Sequence, residues 1–449
     1  MAQDRDVVVI GGGVAGLAAA SKLGGAGLSV SVIEARKRIG GRIFTQNDPG
    51  CDAPIELGAE FIHGLPPQIW EPLQASGTEI TEVEGQNWCI SHAGLSPCNF
   101  FSQIETILDK MDDSLPDEPF LAFLERHIGN PSHDPEQQEA KQRALGYVTG
   151  FNAADPGLVG VHWLVQGMRA EKKIQGHRAF RTKNGYADLI EAFRRQISNC
   201  DVIVHTNTVV DSVRWRPGRT EVIAHNEEGS CLFASSQVLI TLPLAILKAP
   251  ARQLGAVEFS PTLPRKKVES LDQLEMGHVI RIVLRFRHRF WDAISVSDAG
   301  TGSLSDLSFL FSQDEWFPTW WTTMPNRVPM ITGWAPFRSA ERLTGQTHSF
   351  VVERSLRTLG RLLGVSLPAL ESWLEGASFH DWQSDPFSRG AYSYGRVGAD
   401  GAQQTLAAPV ESTLFFAGEA TDTSGHNGTV HGAIASGYRA ALEILQLRT

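Results

Sequence analysis

The chain opens with a short β-branched run at residues 7–10, which has the continuous apolar pattern of a strand buried on both faces. An Ala/Leu-rich segment at 17–23 predicts a helix, and a second β-branched run at 28–33 predicts another strand. A glycine-rich turn at 11–16 joins the first strand to the helix. Strand, turn, helix and strand within about 30 residues are typical of a βαβ crossover in a parallel sheet.

Helical periodicity dominates the segment that follows. Between residues 66 and 199 the pattern is mostly helical, and residues 130–139, polar with two prolines, predict a surface loop. The end of the chain repeats the opening, because a strand, a glycine-containing loop and a helix follow one another there. The predicted helices are 100–111, 119–128, 185–197, 349–363 and 430–445, and the later strands are 202–205, 209–215, 221–225, 238–242, 279–286, 308–311 and 413–416. The sequence therefore predicts a mixed fold of the α/β (α+β) class.

Composition narrows the class of protein. A chain of 449 residues predicts two or three domains, since a domain has roughly 100–200 residues. With 42% hydrophobic and 20% charged residues, disorder is excluded as the main state. The net charge of −10 and the lack of a basic block argue against a nucleic-acid partner. No run of about 18 apolar residues is present, so no membrane anchor is expected.

The cysteines Cys51, Cys89, Cys98, Cys200 and Cys231 are odd in number and scattered, without a C-x-x-C pair. This spacing argues against a disulfide framework and against a structural zinc site. We therefore expect no metal, and a reducing, cytoplasmic setting fits this usage best.

The turn at residues 11–16 carries the first chemical signal, with glycines at the three positions of a G-x-G-x-x-G pattern. Gly11 allows a tight turn, Gly13 lets the backbone approach a pyrophosphate, and Gly16 permits close packing of helix on strand. The helix N-terminus presents free N–H groups to phosphates. Glu34, 18 residues after Gly16, can accept hydrogen bonds from ribose hydroxyls. The alternative is a glycine-rich turn without a ligand.

The next segment, Glu34-Ala35-Arg36 followed by Gly40-Gly41-Arg42, extends this hypothesis. The two glycines let the backbone pass close to a ligand, and Arg42 can reach a phosphate. Arg36 is equally well explained as a phosphate ligand or as an ordinary surface residue.

At this point the chain resembles the flavin-containing amine oxidases, whose opening has the form VVVIGGGxAGLxAA followed by EAxxRxGGR. Further segments resemble that family in the right order over nearly the whole chain: 56–64 (ELGAEFIHG), 207–210 (NTVV), 238–248 (VLITLPLAILK), 381–394 (DWQSDPFSRGAYSY), 415–421 (FFAGEAT) and 429–433 (TVHGA). The resemblance implies FAD as cofactor. It implies a binding site formed by Gly11, Gly13, Ala15, Gly16, Glu34, Ala35, Arg36, Gly41, Arg42, Gly58, Ala59, Val210, Trp382, Gly418, Glu419, Thr429 and Val430.

The last two segments, 415–421 and 429–433, have side chains and backbone groups suited to a flavin. A carboxylate at Glu419, after a strand, can accept from a ribityl hydroxyl. Thr429 and Val430, at a helix start, can point backbone N–H groups at the pyrimidine edge of a flavin. Ala391 stands where monoamine oxidases have the cysteine that bonds FAD, and a methyl group forms no thioether. The sequence therefore predicts non-covalent FAD.

Candidate catalytic residues follow from the same resemblance. His63 within Phe-Ile-His-Gly and Thr429 before Val-His-Gly resemble the polyamine oxidase branch, whereas monoamine oxidases have a tyrosine where Thr429 stands. Tyr392 is the expected aromatic wall, and Tyr394, two residues on, is a second candidate. The alternatives are a structural role for His63, bonded to backbone, and core packing for the tyrosines.

Arg281 is a departure from the family, which normally has a lysine that bonds a water facing the flavin N5. Arginine keeps its proton in a protein, so it can donate hydrogen bonds but cannot act as a neutral base. Reactivity with oxygen is therefore open. The alternative is that Arg281 points to a carboxylate instead.

The resemblance implies a Rossmann-like FAD-binding domain of three segments (1–65, 200–265 and 385–449) and an inserted substrate-binding domain (66–199 and 266–384). The implied reaction is oxidation of a cationic small-molecule amine, best a polyamine such as spermidine, spermine or an acetylated form. Hydride transfer to flavin N5 gives an imine and then an aldehyde plus amine, while O2 becomes H2O2. The alternatives are another amine or an L-amino acid, a dehydrogenase with a different electron acceptor, and a flavoprotein scaffold without turnover.

Overall fold

The computed structural model describes residues 3–51, 53–91, 94–129, 135–296 and 302–448. Its largest sheet has eight strands: β1 (Gln3–Ile10), β2 (Val30–Ile33), β10 (Val202–His205), β11 (Val209–Arg216), β12 (Arg219–Asn226), β13 (Gly229–Ile240), β14 (Glu258–Ser260) and β24 (Leu414–Phe416). They lie in the order β10-β2-β1-β13-β12-β11-β14, and β24 pairs with β13. Because β1, β2, β13 and β24 are parallel, their carboxyl ends meet at one edge, where open parallel sheets bind ligands.

Both faces of this sheet are covered, which explains the continuous apolar pattern of its strands. Helices α1 (Val14–Gly25), α7 (Ala187–Ser198) and α14 (Val430–Gln446) form a core with one face of β1 and β2. The opposite face of β1 and β2 packs against apolar residues of β11 and β12, two other strands of the same sheet. A Cβ atom on Gly437 of α14 would lie 2.3 Å from the backbone oxygen of Ala15, so α14 approaches α1 closely only because of this glycine.

A second, seven-stranded sheet contains β7 (Gln86–Ser91), β8 (Gly94–Pro97), β16 (Val279–Phe286), β19 (Leu307–Phe311), β20 (Thr319–Thr322), β21 (Met330–Pro336) and β22 (Leu374–Phe379). These strands lie in the order β22-β16-β21-β20-β19-β7-β8. Apolar side chains of this sheet form a separate core with α10 (Arg338–Leu343), α11 (His348–Leu363) and α12 (Leu367–Trp373).

Four helices bury a third core of their own: α3 (Phe100–Leu108), α4 (Phe120–Ile128), α5 (Pro135–Gly150) and α6 (Val161–Lys173). Phe120 and Phe123 of α4 are fully buried in it. Within the described ranges, no helix is both long and apolar enough to cross a membrane.

Shorter elements connect these parts and position the site. Strands β5 (Ile62–His63), β9 (Ala179–Thr182) and β6 (Ile80–Glu82) form a three-stranded sheet in that order, and β15 (Leu274–Met276) pairs with β23 (Ser393–Gly395). The remaining elements are β3 (Thr45–Gln46), β4 (Ile55–Glu56), α2 (Pro67–Ala75), α8 (Leu244–Leu247), α9 (Arg265–Asp272), β17 (Ser295–Val296), β18 (Gly302–Ser303), α13 (Ala402–Ala407) and the 3-10 helices Phe290–Ala293, Leu304–Asp306 and Glu419–Thr421.

The mixed α/β fold and the opening crossover are confirmed, but one local prediction was incomplete and another was wrong. Residues 66–199 are mostly helical, as predicted, but they also contain β6, β7, β8 and β9, which are stabilised by strands distant in sequence. Of the predicted loop 130–139, residues 135–139 begin α5, and 130–134 lie outside the described residues. Pro135 suits the first turn of a helix, where its missing N–H has no partner to lose.

The cysteine spacing argued against a disulfide framework, but one pair is bonded: Cys89 and Cys98 form a disulfide, while Cys51, Cys200 and Cys231 are free. The hairpin of β7 and β8 brings the two sulfurs together across nine positions of sequence. Irregular spacing in sequence carries no sign of such a tertiary contact. The cysteines therefore give no support for a reducing, cytoplasmic setting.

Candidate active site

A cavity of about 1580 Å³ begins at the carboxyl edge of the eight-stranded sheet and extends to the helices α3, α5 and α6 and to the second sheet. Pockets for small ligands typically have about 300–1,000 Å³. The space is therefore large enough for a dinucleotide and a second, smaller molecule. We call the part beside β1 and β2 the dinucleotide end, and the part between His63, α5, α6 and β20 the amine end.

The dinucleotide end is built from backbone. Gly11 has a φ of 110°, and a Cβ there would lie 2.6 Å from Thr241 Oγ1, so only glycine fits this turn. Gly13 is the N-cap of α1, so the first N–H groups of that helix face the cavity without helical partners. A Cβ on Gly41 would lie 3.2 Å from the Cα of Gly13, and both glycines line the cavity. This arrangement fits a pyrophosphate.

Glu34 lies at the end of β2, buried and in the cavity wall. Its carboxylate accepts hydrogen bonds from the backbone N–H groups of Gly12 at 2.8 Å and Arg36 at 2.9 Å. Burial raises the pKa of Glu34, while these N–H groups and the charge of Arg36 act in the opposite direction. Each carboxylate oxygen has a further lone pair, so the group fits a ribose diol.

The side chain of Arg36 is not an ordinary surface residue, because it is bound by a distant segment of the chain. It donates to Asp385 Oδ1 at 2.6 Å and to Ser388 Oγ at 2.9 Å, and it is largely buried. It thus links the segment after β2 to residues 385–388, while its surface still borders the cavity.

Glu419 joins three segments of the chain. Its carboxylate accepts from Arg42 at 2.9 Å, from the Ser393 hydroxyl at 2.5 Å and from the Gly428 N–H at 3.0 Å. Arg42 also donates to the Ala391 carbonyl at 2.7 Å. Both Arg42 and Glu419 line the cavity, and this buried network fixes the position of its wall.

Helix α14 points its N-terminus at the cavity. Thr429 is its N-cap, and its hydroxyl accepts from the Gly432 N–H at 3.0 Å and donates to the His426 carbonyl at 2.7 Å. The hydroxyl is therefore engaged in capping. The N–H groups of Val430 and His431, at the first two helical positions, cannot bond within the helix and are available to a ligand.

The amine end is aromatic. His63 is half-buried beside Phe61 (6.1 Å between ring centroids) and Phe151 (5.5 Å, edge to face), and its exposed part faces the cavity. Burial lowers the pKa of His63 to about 4. The imidazole is therefore neutral at pH 7 and can accept a hydrogen bond.

The two tyrosine candidates lie in different surroundings. Tyr392 lines the cavity, and its hydroxyl donates to the Phe151 carbonyl at 2.8 Å. Tyr394 is buried in the core of α3–α6 and does not line the cavity. The geometry therefore favours Tyr392 as the aromatic wall.

Arg281 is held by a carboxylate. Its guanidinium donates to Glu60 Oε2 at 2.6 Å and to the Gly58 carbonyl at 2.8 Å. Glu60 also accepts from Arg181 at 2.7 Å and from the Trp321 indole at 2.9 Å. Burial would raise the pKa of Glu60, but the two arginines lower it, so the carboxylate stays charged. This is the alternative geometry that the sequence left open for Arg281.

The structure brings nearly all predicted site residues to one cavity. The exception is Gly16, which packs against its own turn: a Cβ there would lie 2.0 Å from the Gly11 oxygen. The cavity-lining residues among the predictions are Gly11, Gly13, Ala15, Glu34, Ala35, Arg36, Gly41, Arg42, Gly58, Ala59, His63, Val210, Arg281, Trp382, Tyr392, Gly418, Glu419, Thr429 and Val430.

Sequence reasoning missed much of the amine end, including Glu60, Tyr147, Phe151, Glu171 and Trp321. Glu60 lies within the segment 56–64 that resembles the family, but its sequence does not reveal the two arginines that it binds. The other four residues belong to elements far apart in sequence, and none of them lies in a recognisable motif. In the part of the chain that the structure describes, no group of three His, Cys, Asp or Glu side chains is placed to hold a metal ion.

Comparison with known proteins agrees with this geometry. The family model "Flavin containing amine oxidoreductase" matches residues 14–88 and 103–445. The chain therefore belongs to the family of flavin-containing amine oxidoreductases. The cofactor of the chain is FAD.

Individual relatives are distant. Lysine-specific histone demethylase 1 homolog 2 of Arabidopsis thaliana is 28% identical, over 99% of this chain but 59% of its own length. The chain thus spans little more than half of that relative. Polyamine oxidase 5 of Oryza sativa subsp. japonica is 27% identical over 98% of this chain and 87% of its own length. A solved putrescine oxidase, a triple mutant redesigned in cofactor binding, has the same fold, with a TM-score of 0.80, 22% identity and full coverage of both chains.

Proposed function

We propose that this protein oxidises a polyamine such as spermidine, spermine or an acetylated form, with non-covalently bound FAD as first electron acceptor and O2 as second. The observation that carries the proposal is one cavity that joins the dinucleotide end to an aromatic chamber containing a neutral histidine. FAD, when bound, supplies the acceptor for a hydride from the carbon beside the amine nitrogen. Loss of that hydride gives an imine, which water converts to an aldehyde and an amine.

The residues of the amine end have distinct roles in this proposal. An amine must lose its ammonium proton before a nitrogen lone pair can assist oxidation. That proton is released to solvent, and His63, neutral at pH 7, accepts a hydrogen bond from the uncharged amine. Tyr392 holds the substrate from one side, and its own position is fixed by the bond to the Phe151 carbonyl.

Two further parts of the proposal concern the cofactor. Ala391 borders the cavity with a methyl group, which cannot bond covalently to FAD.

We also propose that residues 1–65, 200–265 and 385–449 form the FAD-binding domain, and 66–199 and 266–384 the substrate domain. Support comes from the eight-stranded sheet, whose strands all fall within the first set of ranges.

The test is an anaerobic flavin-reduction screen with spermidine, spermine, their acetyl forms, monoamines and L-amino acids. Polyamines are expected to bleach the flavin absorbance fastest. In His63→Ala, the rate of bleaching should fall by about 100-fold or more, with an altered pH profile. Unchanged bleaching in that variant would contradict the role of His63, and a flavin that no amine reduces would contradict the function.

A second candidate function, a dehydrogenase with a non-oxygen acceptor, is favoured by the ion pair of Arg281 with Glu60. A guanidinium held in this way stays protonated and cannot serve as a neutral base. Measuring peroxide formed per amine consumed separates the two candidates: a ratio near one supports the oxidase, and a ratio near zero supports the dehydrogenase.

The ion pair of Arg281 with Glu60 also disfavours L-amino acids as substrates, because Arg281 already has a carboxylate partner.

A further inference from the structure

Glu171 lies near the end of α6 and lines the amine end of the cavity. Among the described residues, no salt bridge or hydrogen bond involves its carboxylate. Burial raises the pKa of the Glu171 carboxyl to about 7. The side chain is thus a partly desolvated acid that faces open space.

The other carboxylates of this cavity are in a different state. Glu60 binds two arginines, Glu419 binds Arg42, Glu82 binds Arg178 and Asp314 binds Arg361. Glu34 accepts two backbone N–H groups. Those at the cavity rim are exposed to solvent, which screens their charge: Glu84, Glu105 and Asp109. Glu171 therefore differs from these in being shielded from water without a positive partner, and such a group is stabilised when a cation arrives.

A continuous aromatic wall connects Glu171 to His63. The Phe151 ring meets His63 edge to face at 5.5 Å and stacks on Tyr147 at 5.7 Å. Tyr147 and Glu171 both line this part of the cavity, and the pKa of Tyr147 is raised first by burial and then by the charge of Glu171. An extended molecule along Phe151 and Tyr147 would have one end beside His63 and the other beside Glu171.

We propose that Glu171 binds the second, non-reacting ammonium group of a diamine or polyamine whose first nitrogen lies beside His63. This inference rests on the proposed function and names the substrate class more narrowly: an amine with a free cation at both ends. Glu171 touches no reacting atom in this arrangement, so it determines specificity. An acetyl group on the distal nitrogen removes its charge and weakens binding.

The test compares Glu171→Gln with the wild type and with Glu105→Gln, which neutralises an exposed rim carboxylate. Each protein, loaded with FAD, is mixed anaerobically with 1,6-diaminohexane, spermidine or hexylamine. The half-saturating concentration and the limiting rate of flavin reduction are measured. In Glu171→Gln, the half-saturating concentration of both cations with two charged ends should rise about 10- to 100-fold, because a charge-assisted bond is lost. The limiting rate should change less than about threefold.

Hexylamine serves as the internal control for folding. Its half-saturating concentration should change less than about threefold in Glu171→Gln, and Glu105→Gln should behave like the wild type with all three amines. An equal rise for hexylamine and 1,6-diaminohexane, or no rise for either, would overturn the assignment of Glu171 while leaving the proposed function intact. A wild-type flavin that no amine reduces would instead overturn the proposed function itself.

Discussion

The two ends of the cavity are built in different ways. The dinucleotide end uses backbone groups and glycines within residues 11–42, held against β1 and β2. The amine end uses side chains from α5, α6, β5, β16 and β20, which are far apart in sequence. An invariant cofactor can be bound by local backbone geometry, whereas the choice of substrate depends on tertiary placement of individual side chains. Substitutions at the two ends should therefore have different consequences.

The largest effect on stability is expected at the amine end, at Glu60. Glu60→Ala leaves Arg181 and Arg281 buried without their shared carboxylate, and breaking such a buried cluster costs about 3–5 kcal/mol. Urea unfolding measures the loss. Glu353→Ala is the matched control, since it removes an exposed pair with Arg357 on α11 and should cost less than about 1 kcal/mol. Equal losses in the two variants would contradict the importance of burial.

The dinucleotide end should respond to a single methyl group. Gly16→Ala places a Cβ 2.0 Å from the Gly11 oxygen, so the turn must shift. We expect a loss of about 2–3 kcal/mol and weaker FAD binding, measured by titrating apoprotein with FAD. Gly25→Ala on the same helix meets nothing within 4 Å and should be neutral or slightly stabilising. Normal FAD affinity in Gly16→Ala would show that the turn does not depend on close packing.

The same contrast explains what could be predicted from sequence. The crossover, Glu34 and the turn at 11–16 were predictable because continuous apolar runs and glycine spacing report local geometry. The pairing of Arg281 with Glu60 and the place of Tyr147 and Glu171 were not, since these contacts arise only when distant elements pack. The engagement of the Glu419 carboxylate by Arg42, Ser393 and Gly428 was missed for the same reason.

A smaller effect should appear in the pH dependence of stability. Burial lowers the pKa of His63 to about 4 and that of His431 to about 3. An unfolded chain has an ordinary histidine pKa of about 6.5, so in the pH range between these folded and unfolded pKa values the folded protein binds fewer protons than the unfolded chain. The two neutral histidines therefore cost no unfolding free energy above pH 6.5, and the free energy of unfolding falls progressively as the pH decreases from 6.5 through 4. Each histidine contributes about 1–3 kcal/mol to this loss.

Thermal unfolding of wild type and His63→Gln between pH 7 and pH 4 measures this effect. The melting temperature of the wild type should fall more steeply, because glutamine does not titrate. Parallel curves for the two proteins would show that His63 is not buried in the neutral form.

The smallest effect concerns the rim of the amine end, where the disulfide joins the β7–β8 hairpin just before α3. Cys98→Ser should lower stability by about 1–2 kcal/mol, because the strand ladder already closes this short loop in the folded state. Cys231→Ser, which removes a free thiol, should have no such effect. Thiol titration of the denatured, unreduced wild type should detect three free thiols. Detection of five would show that Cys89 and Cys98 are reduced, and the loss of stability in Cys98→Ser should then disappear as well.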